Sequence, residues 1–317
     1  MSSFYNKRFR MGLMRLVNEG LVLSTNTNDI VPTGVNMIKA PMMWEKANYG
    51  KGVVIAILDT GCQIDHPDLA ENIIGGRNFT SDYGGDIKNF SDNNSHGTHV
   101  AGIIAAAKNG KGVIGVAPKA SLLILKIVNG DGQTKYQSII DAIHYAINWR
   151  GEDGKRVRVM MMSLGGKKDD VNLYNAVKFA ISQQILIVCA AGNYGDGNFD
   201  TTEKIYPGAY KEVVQVGAVN SKKEIEYFSN TNNQIDLVAP GRDVLSSIPG
   251  SGYKTLSGTS MAAPHVAGAA ALIINITEKE FKRTMTGAEI YAQIIKRTVS
   301  LGLDASAEGS GLLDLSK

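Results

Sequence analysis

Three short motifs carry side chains that together suit nucleophilic catalysis. Asp59 lies in ILDTG, where a buried strand should end. His96 lies in SHGTHVAG and Ser260 in GTSMAAP, each at the start of a predicted helix. A serine hydroxyl is a weak nucleophile that needs an adjacent base, and the base needs a third group to orient it. Each motif is weak alone, but the three in the order Asp, His, Ser form a specific pattern.

The chemistry of these groups assigns each a role. His96 would accept the proton of Ser260 and return it to the leaving group. Asp59 would hold the imidazole tautomer and stabilise the imidazolium ion. A helix that opens at Ser260 would aim backbone N–H groups at the reacting carbonyl.

Alternating strands and helices must position these groups. The predicted strands are 53–58, 121–128, 157–164, 185–191 and 213–219, and the predicted helices are 96–107, 137–149, 171–183, 258–274 and 285–299. This alternation predicts an α/β fold with one mostly parallel central sheet and helices on both faces. Ligands bind beyond the carboxyl ends of the strands in such sheets.

Composition excludes several classes of protein. A net charge of +3 over 317 residues gives no nucleic-acid signature. No apolar run approaches about 18 residues, so no membrane span is expected. Arg15, Asn18 and Glu19 interrupt the apolar stretch that a secretory signal would need, which predicts a cytoplasmic protein. Cys62 and Cys189 lie in apolar runs and are expected to be buried, reduced thiols.

From about Pro32 to its C-terminus the sequence resembles the subtilisin-like serine proteases, and most of all the intracellular subtilisins of Bacillus-type bacteria. The similar motifs are DTGC at 59–62, VCAAGN at 188–193 and IYAQ at 290–293. The resemblance implies a single-domain subtilisin-like fold and a serine endopeptidase that cleaves proteins and peptides through an acyl-enzyme. It also implies that Asn193 and the Ser260 backbone N–H form the oxyanion hole.

Substrate contacts are expected on two chain edges. Ser163, Leu164 and Gly165 end a strand with side chains too small to block an extended peptide, which favours β-augmentation. The resemblance adds a second edge near Gly132, with Tyr136 lining a pocket for an upstream apolar side chain. Thr134 stands on that edge where many family members have Gly.

The same resemblance places Ala191, Gly192 and Ile205 at the primary pocket. Relatives usually have Gly or Ala at the position of Ile205 and often have Glu where Tyr194 stands. A branched side chain at the base should make the pocket shallower, which predicts that large aromatic residues are disfavoured at the cleavage position.

A calcium site is implied at the polar loop AKNGKGV, residues 107–113. Its ligands would be the carboxylate of Asp68, the side chain of Asn109 and the backbone carbonyls of Lys111 and Val113. Calcium takes six to eight oxygen ligands of this kind.

Residues 1–30 resemble in position an N-terminal extension that blocks the active site until it is removed, and residues 31–317 would form the catalytic domain. The Leu-Ile-Pro-Tyr motif expected in such an extension is absent, and the segment 9–13 (FRMGL) lies near its place. A frayed tail is the alternative. Members of the intracellular group are often dimers, so a homodimer is a further expectation.

Two other functions stay open at this point. A peptide-binding protein without catalysis would use the same fold, although the presence of Ser260 and Asn193 argues against it. A zinc hydrolase would use His96 and His99, which share a helix face at positions i and i+3, but no matching third ligand is apparent.

Overall fold

The structure is a computed structural model that describes residues 11–14, 18–23, 28–152 and 154–317, with the backbone alone for 18–23. Residues 24–27 of the expected extension therefore lie outside the described residues. So do residues 1–10 and 15–17 of the expected extension.

Nine strands of the described chain form one large sheet in the order β13-β14-β10-β9-β8-β6-β3-β5-β4. All neighbours pair in parallel except β13 and β14. Its strands are β3 (Val54–Asp59), β4 (Ile73–Asn78), β5 (Ser121–Lys126), β6 (Val157–Met162), β8 (Leu186–Ala190), β9 (Val214–Val219), β10 (Leu237–Pro240), β13 (Thr298–Val299) and β14 (Leu312–Leu313).

Two smaller antiparallel sheets complete the strands. The first pairs β1 (Gly12–Leu13) with β7 (Leu164–Gly165). The second places β12 (Gly252–Ser257) between β11 (Val244–Ile248) and β2 (Asn18–Leu23). Both bring N-terminal chain against later parts of the described structure.

Helices cover both faces of the large sheet. They are α1 (Thr33–Met37), α2 (His96–Ala105), α3 (Tyr136–Asn148), α4 (Val171–Ser182), α5 (Thr259–Phe281), α6 (Gly287–Ile295) and α7 (Ala305–Glu308). Alternate residues of β3 point to opposite faces, so Ile55 and Ile57 pack with α2 and α5 whereas Ala56 and Leu58 pack with α3 and α4. Every residue of β3 is buried, as expected for a parallel strand covered on both sides.

The predicted fold class is confirmed. The sequence missed β4 and the hairpin of β11 and β12, and it ended α5 at residue 274, seven residues too early. α5 is long and apolar enough to cross a membrane, but 89% of its most apolar stretch is buried inside the protein, so it is a core helix.

Both cysteines are free and buried, as predicted. They lie in the two different apolar cores, Cys62 on one side of the sheet and Cys189 on the other. Burial raises the pKa of both thiols, which makes neither a nucleophile near neutral pH.

Candidate active site

Asp59 and His96 form a buried pair at the carboxyl end of the large sheet. Asp59 is the last residue of β3 and His96 is the first of α2. Nδ1 of His96 lies 2.7 Å from Oδ1 of Asp59, and both side chains are almost fully shielded from solvent. Burial lowers the pKa of His96, but the charge and hydrogen bond of Asp59, helped by Asp92, outweigh it and leave that pKa above its ordinary value.

A second carboxylate fixes the start of α2 relative to β3. Asp92 accepts hydrogen bonds from the backbone N–H groups of Asn94, Ser95 and Thr98. It also accepts from the Thr60 hydroxyl at 2.9 Å, and that hydroxyl oxygen in turn accepts from the Gly97 N–H at 2.8 Å. These bonds satisfy N–H groups that a helix start leaves unpaired, and they hold His96 against Asp59.

Ser260 is the second residue of α5, which packs against α2. Its hydroxyl donates to the carbonyl oxygen of Ser163 at 3.2 Å, and the Ser163 hydroxyl donates to the carbonyl of Ser260 at 2.9 Å. Within the described residues, Nε2 of His96 has no hydrogen-bond partner although it is buried. The imidazole therefore presents a buried nitrogen on the side away from Asp59.

The oxygen of the Asn193 amide fixes the orientation of this side chain. Its Oδ1 accepts from both the backbone N–H and the hydroxyl of Thr259, each at 2.8 Å. This leaves Nδ2 as the end directed toward Gly258, whose missing side chain leaves room for it. The donor orientation is the one an oxyanion hole requires.

The expected primary pocket is filled at its base. Ile205 is 1% exposed, and a Cβ on Gly165 would overlap its Cγ2 while one on Gly192 would contact its Cγ1. Asn230 fixes the wall formed by Ala191 and Gly192, because its Nδ2 donates to the Ala191 carbonyl at 2.8 Å. The structure thus brings together the predicted residues Gly165, Ala191, Gly192 and Ile205.

Residues 11–14 lie between the two predicted substrate edges. Gly12 pairs antiparallel with Gly165 and Leu13 with Leu164. On the other side the Leu13 N–H donates to the Gly132 carbonyl at 3.0 Å, and the Thr134 N–H donates to the Met11 carbonyl at 3.2 Å. Thr134 therefore serves as an edge residue with its backbone, despite its larger side chain.

The side chains of this segment enter the cleft at both ends. Met11 is 3% exposed and packs in the same apolar cluster as Tyr136, the residue expected to line an upstream pocket. Met14, also 3% exposed, lies beside Gly165, with its sulfur 3.5 Å from the Thr259 hydroxyl oxygen. The segment occupies the cleft as an extended peptide would.

The predicted calcium ligands also come together. Asp68 is fully buried, and its carboxylate accepts from the Val113 N–H at 2.9 Å and from the Asn109 amide at 3.4 Å and lies beside the Tyr253 hydroxyl. Lys111 lies in the same turn, where its N–H donates to Oδ1 of Asn109. A buried carboxylate with an amide side chain beside it fits a hard cation such as calcium.

The other core histidines differ from His96. Nε2 of His99 lies 3.0 Å from the Lys254 carbonyl, and Nδ1 of His265 lies 2.8 Å from the Met261 carbonyl. Burial lowers their pKa values to about 3 and about 4. Among the described residues no group of three His, Cys, Asp or Glu side chains could hold a metal ion, so the zinc hypothesis has no ligand set there.

Sequence reasoning missed three residues that fix the predicted site residues in place through hydrogen bonds. Thr259 donates to the side chain of Asn193, and Asn230 donates to the carbonyl of Ala191. Asp92 accepts from N–H groups at the start of α2. Only Asp92 had a usable signal, as an acidic residue just before a helix start. The other two bond across long sequence separations, which periodicity does not report.

The chain is similar to known serine proteases over most of its length. Residues 50–311 match the Subtilase family. The "Intracellular serine protease" of Paenibacillus polymyxa is 54% identical over 285 residues, 90% of this chain and 85% of that protein. The "Major intracellular serine protease" of Bacillus subtilis is 49% identical over 90% of this chain and 88% of that protein. "Subtilisin E" of Bacillus subtilis is 38% identical over 90% of this chain and 70% of that protein.

Proposed function

Because the chain belongs to the subtilase family of serine proteases, we propose that it cleaves internal peptide bonds of proteins with Asp59, His96 and Ser260 as its catalytic triad. The buried Asp59–His96 pair at 2.7 Å carries this proposal. A carboxylate so close to Nδ1 fixes the tautomer that leaves Nε2 able to accept a proton.

The predicted family and enzyme class are confirmed by the matches to known proteins. The predicted cytoplasmic location is confirmed as well, since both intracellular proteases match 90% of this chain. What goes beyond the family is the assignment of roles to individual residues.

In the proposed mechanism the Ser260 hydroxyl turns from the Ser163 carbonyl to Nε2 of His96 as substrate binds. It attacks the scissile carbonyl while His96 takes its proton, and the imidazolium gains stability from Asp59. The oxyanion accepts from Nδ2 of Asn193 and from the Ser260 N–H. His96 then protonates the leaving amine, and water hydrolyses the acyl-enzyme by the same steps.

Casein hydrolysis by the purified chain tests these roles. We expect hydrolysis that a serine-directed phosphonate stops and that Ser260→Ala abolishes. Thr277→Ala is a matched control, because it removes a buried hydroxyl on the same helix, one that donates to the Ile273 carbonyl at 2.7 Å. Activity retained by Ser260→Ala would refute the assignment, and so would a zinc-dependent activity that resists the phosphonate.

We further propose that the N-terminal segment inhibits the enzyme by binding in place of substrate. Its support is the antiparallel pairing of residues 12 and 13 on both edges and the burial of Met11 and Met14. Main-chain pairing on two sides gives affinity, and the tether keeps the local concentration of the segment in the millimolar range.

A chain that begins at Asn18 is the sharpest test of inhibition. It removes residues 11–14 but keeps β2, which pairs with β12. It also keeps Ile30, whose N–H donates to the Gly112 carbonyl beside the proposed metal loop. We expect hydrolysis of a tetrapeptide to rise at least about tenfold. Equal activity of the two chains would remove the inhibition proposal and leave the protease intact.

We propose calcium as a structural ion held by Asp68, Asn109 and the carbonyls of Lys111 and Val113. The burial of the Asp68 carboxylate and its contact with Asn109 support this. Excess chelator should lower the melting temperature by several degrees, since loss of a ligand at about 100 times its Kd costs about 2.7 kcal/mol. Asp68→Asn should abolish the sensitivity to chelator, and an unchanged melting temperature of the parent chain would contradict the proposal.

The homodimer stays a prediction. Phe281, Val299 and Leu303 are exposed apolar residues in the C-terminal part of the chain, where a contact between subunits could form. Sedimentation of Ser260→Ala protein, which avoids self-digestion, decides the matter, and a monomer at every concentration would contradict it.

A further inference from the structure

Lys126 carries a charge buried behind the catalytic pair. It is the last residue of β5, fully shielded from solvent, and one of the largest fully buried side chains of the described chain. Its Nζ donates to the Thr60 carbonyl at 2.6 Å, to Oδ1 of Asn93 at 2.8 Å and to the Val128 carbonyl at 3.1 Å. Burial of an ammonium group costs several kcal/mol unless its hydrogens are all paired, as they are here.

A carboxylate completes the arrangement. Oδ2 of Asp82 lies 3.0 Å from Nζ of Lys126. Burial raises the pKa of Asp82, but its hydrogen bonds from Lys126 and Asn93 outweigh that and leave the pKa below its ordinary value. The ring of Tyr83 lies over the ammonium at 5.8 Å. The ammonium end of this ion pair is therefore enclosed, whereas the Asp82 side chain is 16% exposed and lies at its rim.

The partners of Lys126 belong to the three parts that catalysis must align. Thr60 follows Asp59 directly, and Asn93 precedes His96 by three residues. Val128 opens the segment that leads to the substrate edge at Gly132. One ammonium thus bonds to the acid strand, the approach to the histidine helix and the base of the substrate edge.

The segment that leads to the substrate edge is also hydrogen-bonded to the carboxylate of Asp82. Oδ2 of Asp82 accepts from the Gly130 N–H and from Nδ2 of Asn93, each at 3.0 Å. Nδ2 of Asn94 donates to the Gly130 carbonyl at 3.0 Å. Displacement of the edge at Gly130 would therefore move Asn93 and Asn94, which precede His96 by three and two residues.

We propose that Lys126, with Asp82, is a positioning residue that holds the substrate edge and the Asp59–His96 pair in one fixed arrangement. It contacts neither substrate nor reacting atoms and acts through Thr60, Asn93 and Val128. Extended substrates, which pair with the edge, depend on this arrangement more than small substrates that reach only the primary pocket. The inference rests on the proposed function and deepens it.

The test neutralises the whole pair, so that no buried charge is left alone. Lys126→Met with Asp82→Asn removes both charges, keeps the shape of the Asp82 side chain and shortens that of Lys126 by one atom. The matched control is Arg158→Met with Glu278→Gln, an ion pair of 2.7 Å between β6 and α5, near the opposite end of the sheet. All variants are made in the full chain, and rates are expressed per Ser260 titrated with a fluorophosphonate.

The readout is the ratio of kcat/KM for a tetrapeptide to kcat/KM for an ester of its last residue alone. In the Lys126 and Asp82 double variant we expect this ratio to fall at least about fivefold, the equivalent of one lost hydrogen bond. The control pair should lower the melting temperature and leave the ratio unchanged. Asp82→Asn alone, which keeps Lys126, should lower the ratio by a smaller factor and serves if the double variant does not fold.

A merely structural role makes a different prediction. It would lower the melting temperature or the number of titratable sites, with the ratio per site unchanged in both variants. That result, in a parent chain that labels at Ser260 and cleaves both substrates, would overturn the inference and leave the proposed function standing.

Discussion

The buried histidine of the cleft and the buried histidines of the core behind it have pKa values shifted in opposite directions. His96 in the cleft faces a carboxylate, and its pKa is raised despite complete burial. His99, one turn along the same helix, and His265 on α5 face backbone carbonyls instead, and burial lowers their pKa values to about 3 and about 4. A charged partner, not depth, therefore decides which histidine can cycle through the protonated form.

The contrast extends to the groups around each histidine. On the cleft side, Oδ2 of Asp59 and Nε2 of His96 are buried without partners among the described residues. Buried polar atoms without partners cost free energy, and a site that must bind substrate and move protons is a reason to keep them. In the core, Nδ1 of His99 and Nε2 of His265 are also without partners, but no carboxylate of the described residues shifts the pKa of either ring.

Substitution of His96 and of His265 should give the largest difference in kcat between the cleft and the core. We expect His96→Gln to lower kcat by at least about 10³-fold, since it removes the general base. His265→Gln, equally buried, should leave kcat within about threefold and lower only stability. Peptide hydrolysis per folded molecule measures both, and a comparable loss of kcat in the two variants would break the comparison.

Buried isoleucines provide the next contrast. Ile205→Ala should deepen the primary pocket and raise the preference for Phe over Ala at the cleavage position by about 10- to 100-fold. Ile294→Ala removes an equally buried side chain from the same apolar core, on α6. It should cost stability alone. A parent chain that already cleaves a Phe peptide faster than an Ala or Leu peptide would contradict the role of Ile205.

Acidification should lower activity through the cleft histidine and stability through the two core histidines. Activity needs neutral His96, so the acid limb of kcat/KM should lie above pH 6.5, in line with the raised pKa. The unfolded chain protonates His99 and His265 below about pH 6.5, whereas the folded chain does so only near pH 3 to 4. Above about pH 6.5 these two histidines therefore do not lower the free energy of unfolding. Below that pH each of them lowers it by about 1.4 kcal/mol per pH unit.

Urea unfolding of Ser260→Ala protein between pH 7 and pH 5 measures this loss, with His265→Gln as the comparison. The variant should lose less stability than its parent over this range. Equal slopes for the two proteins would show that His265 is protonated in the folded state and would contradict the comparison.

The sequence predicted β3, β6 and β8 because these strands are buried and have continuous apolar runs. It placed β3 within one residue and found the start of α2 at His96. It found the cleft residues through family motifs, not through periodicity. The hairpin of β11 and β12 was missed because its sequence is half polar and its burial comes from α2, which packs on it from a distant part of the chain.

The N-terminal segment shows where sequence reasoning stops. The motif expected for an inhibitory extension is absent, and the sequence left a frayed tail as the alternative. Residues 11–14 pair with edges that lie more than 100 residues away, so only the fold reveals the register of Gly12 on Gly165 and Leu13 on Leu164. Lys126 was missed for a related reason, since a single charged residue at a strand end has no period and its four partners come from three segments.

Labelling of Ser260 by a fluorophosphonate, followed by peptide mass spectrometry, tests the central claim most directly. In the chain that begins at Asn18 we expect modification at Ser260 alone, with a rate at least about tenfold above that of the full chain and no modification in His96→Gln. A folded chain that hydrolyses peptides while Ser260 stays unlabelled, or that is labelled equally fast without His96, would contradict the account.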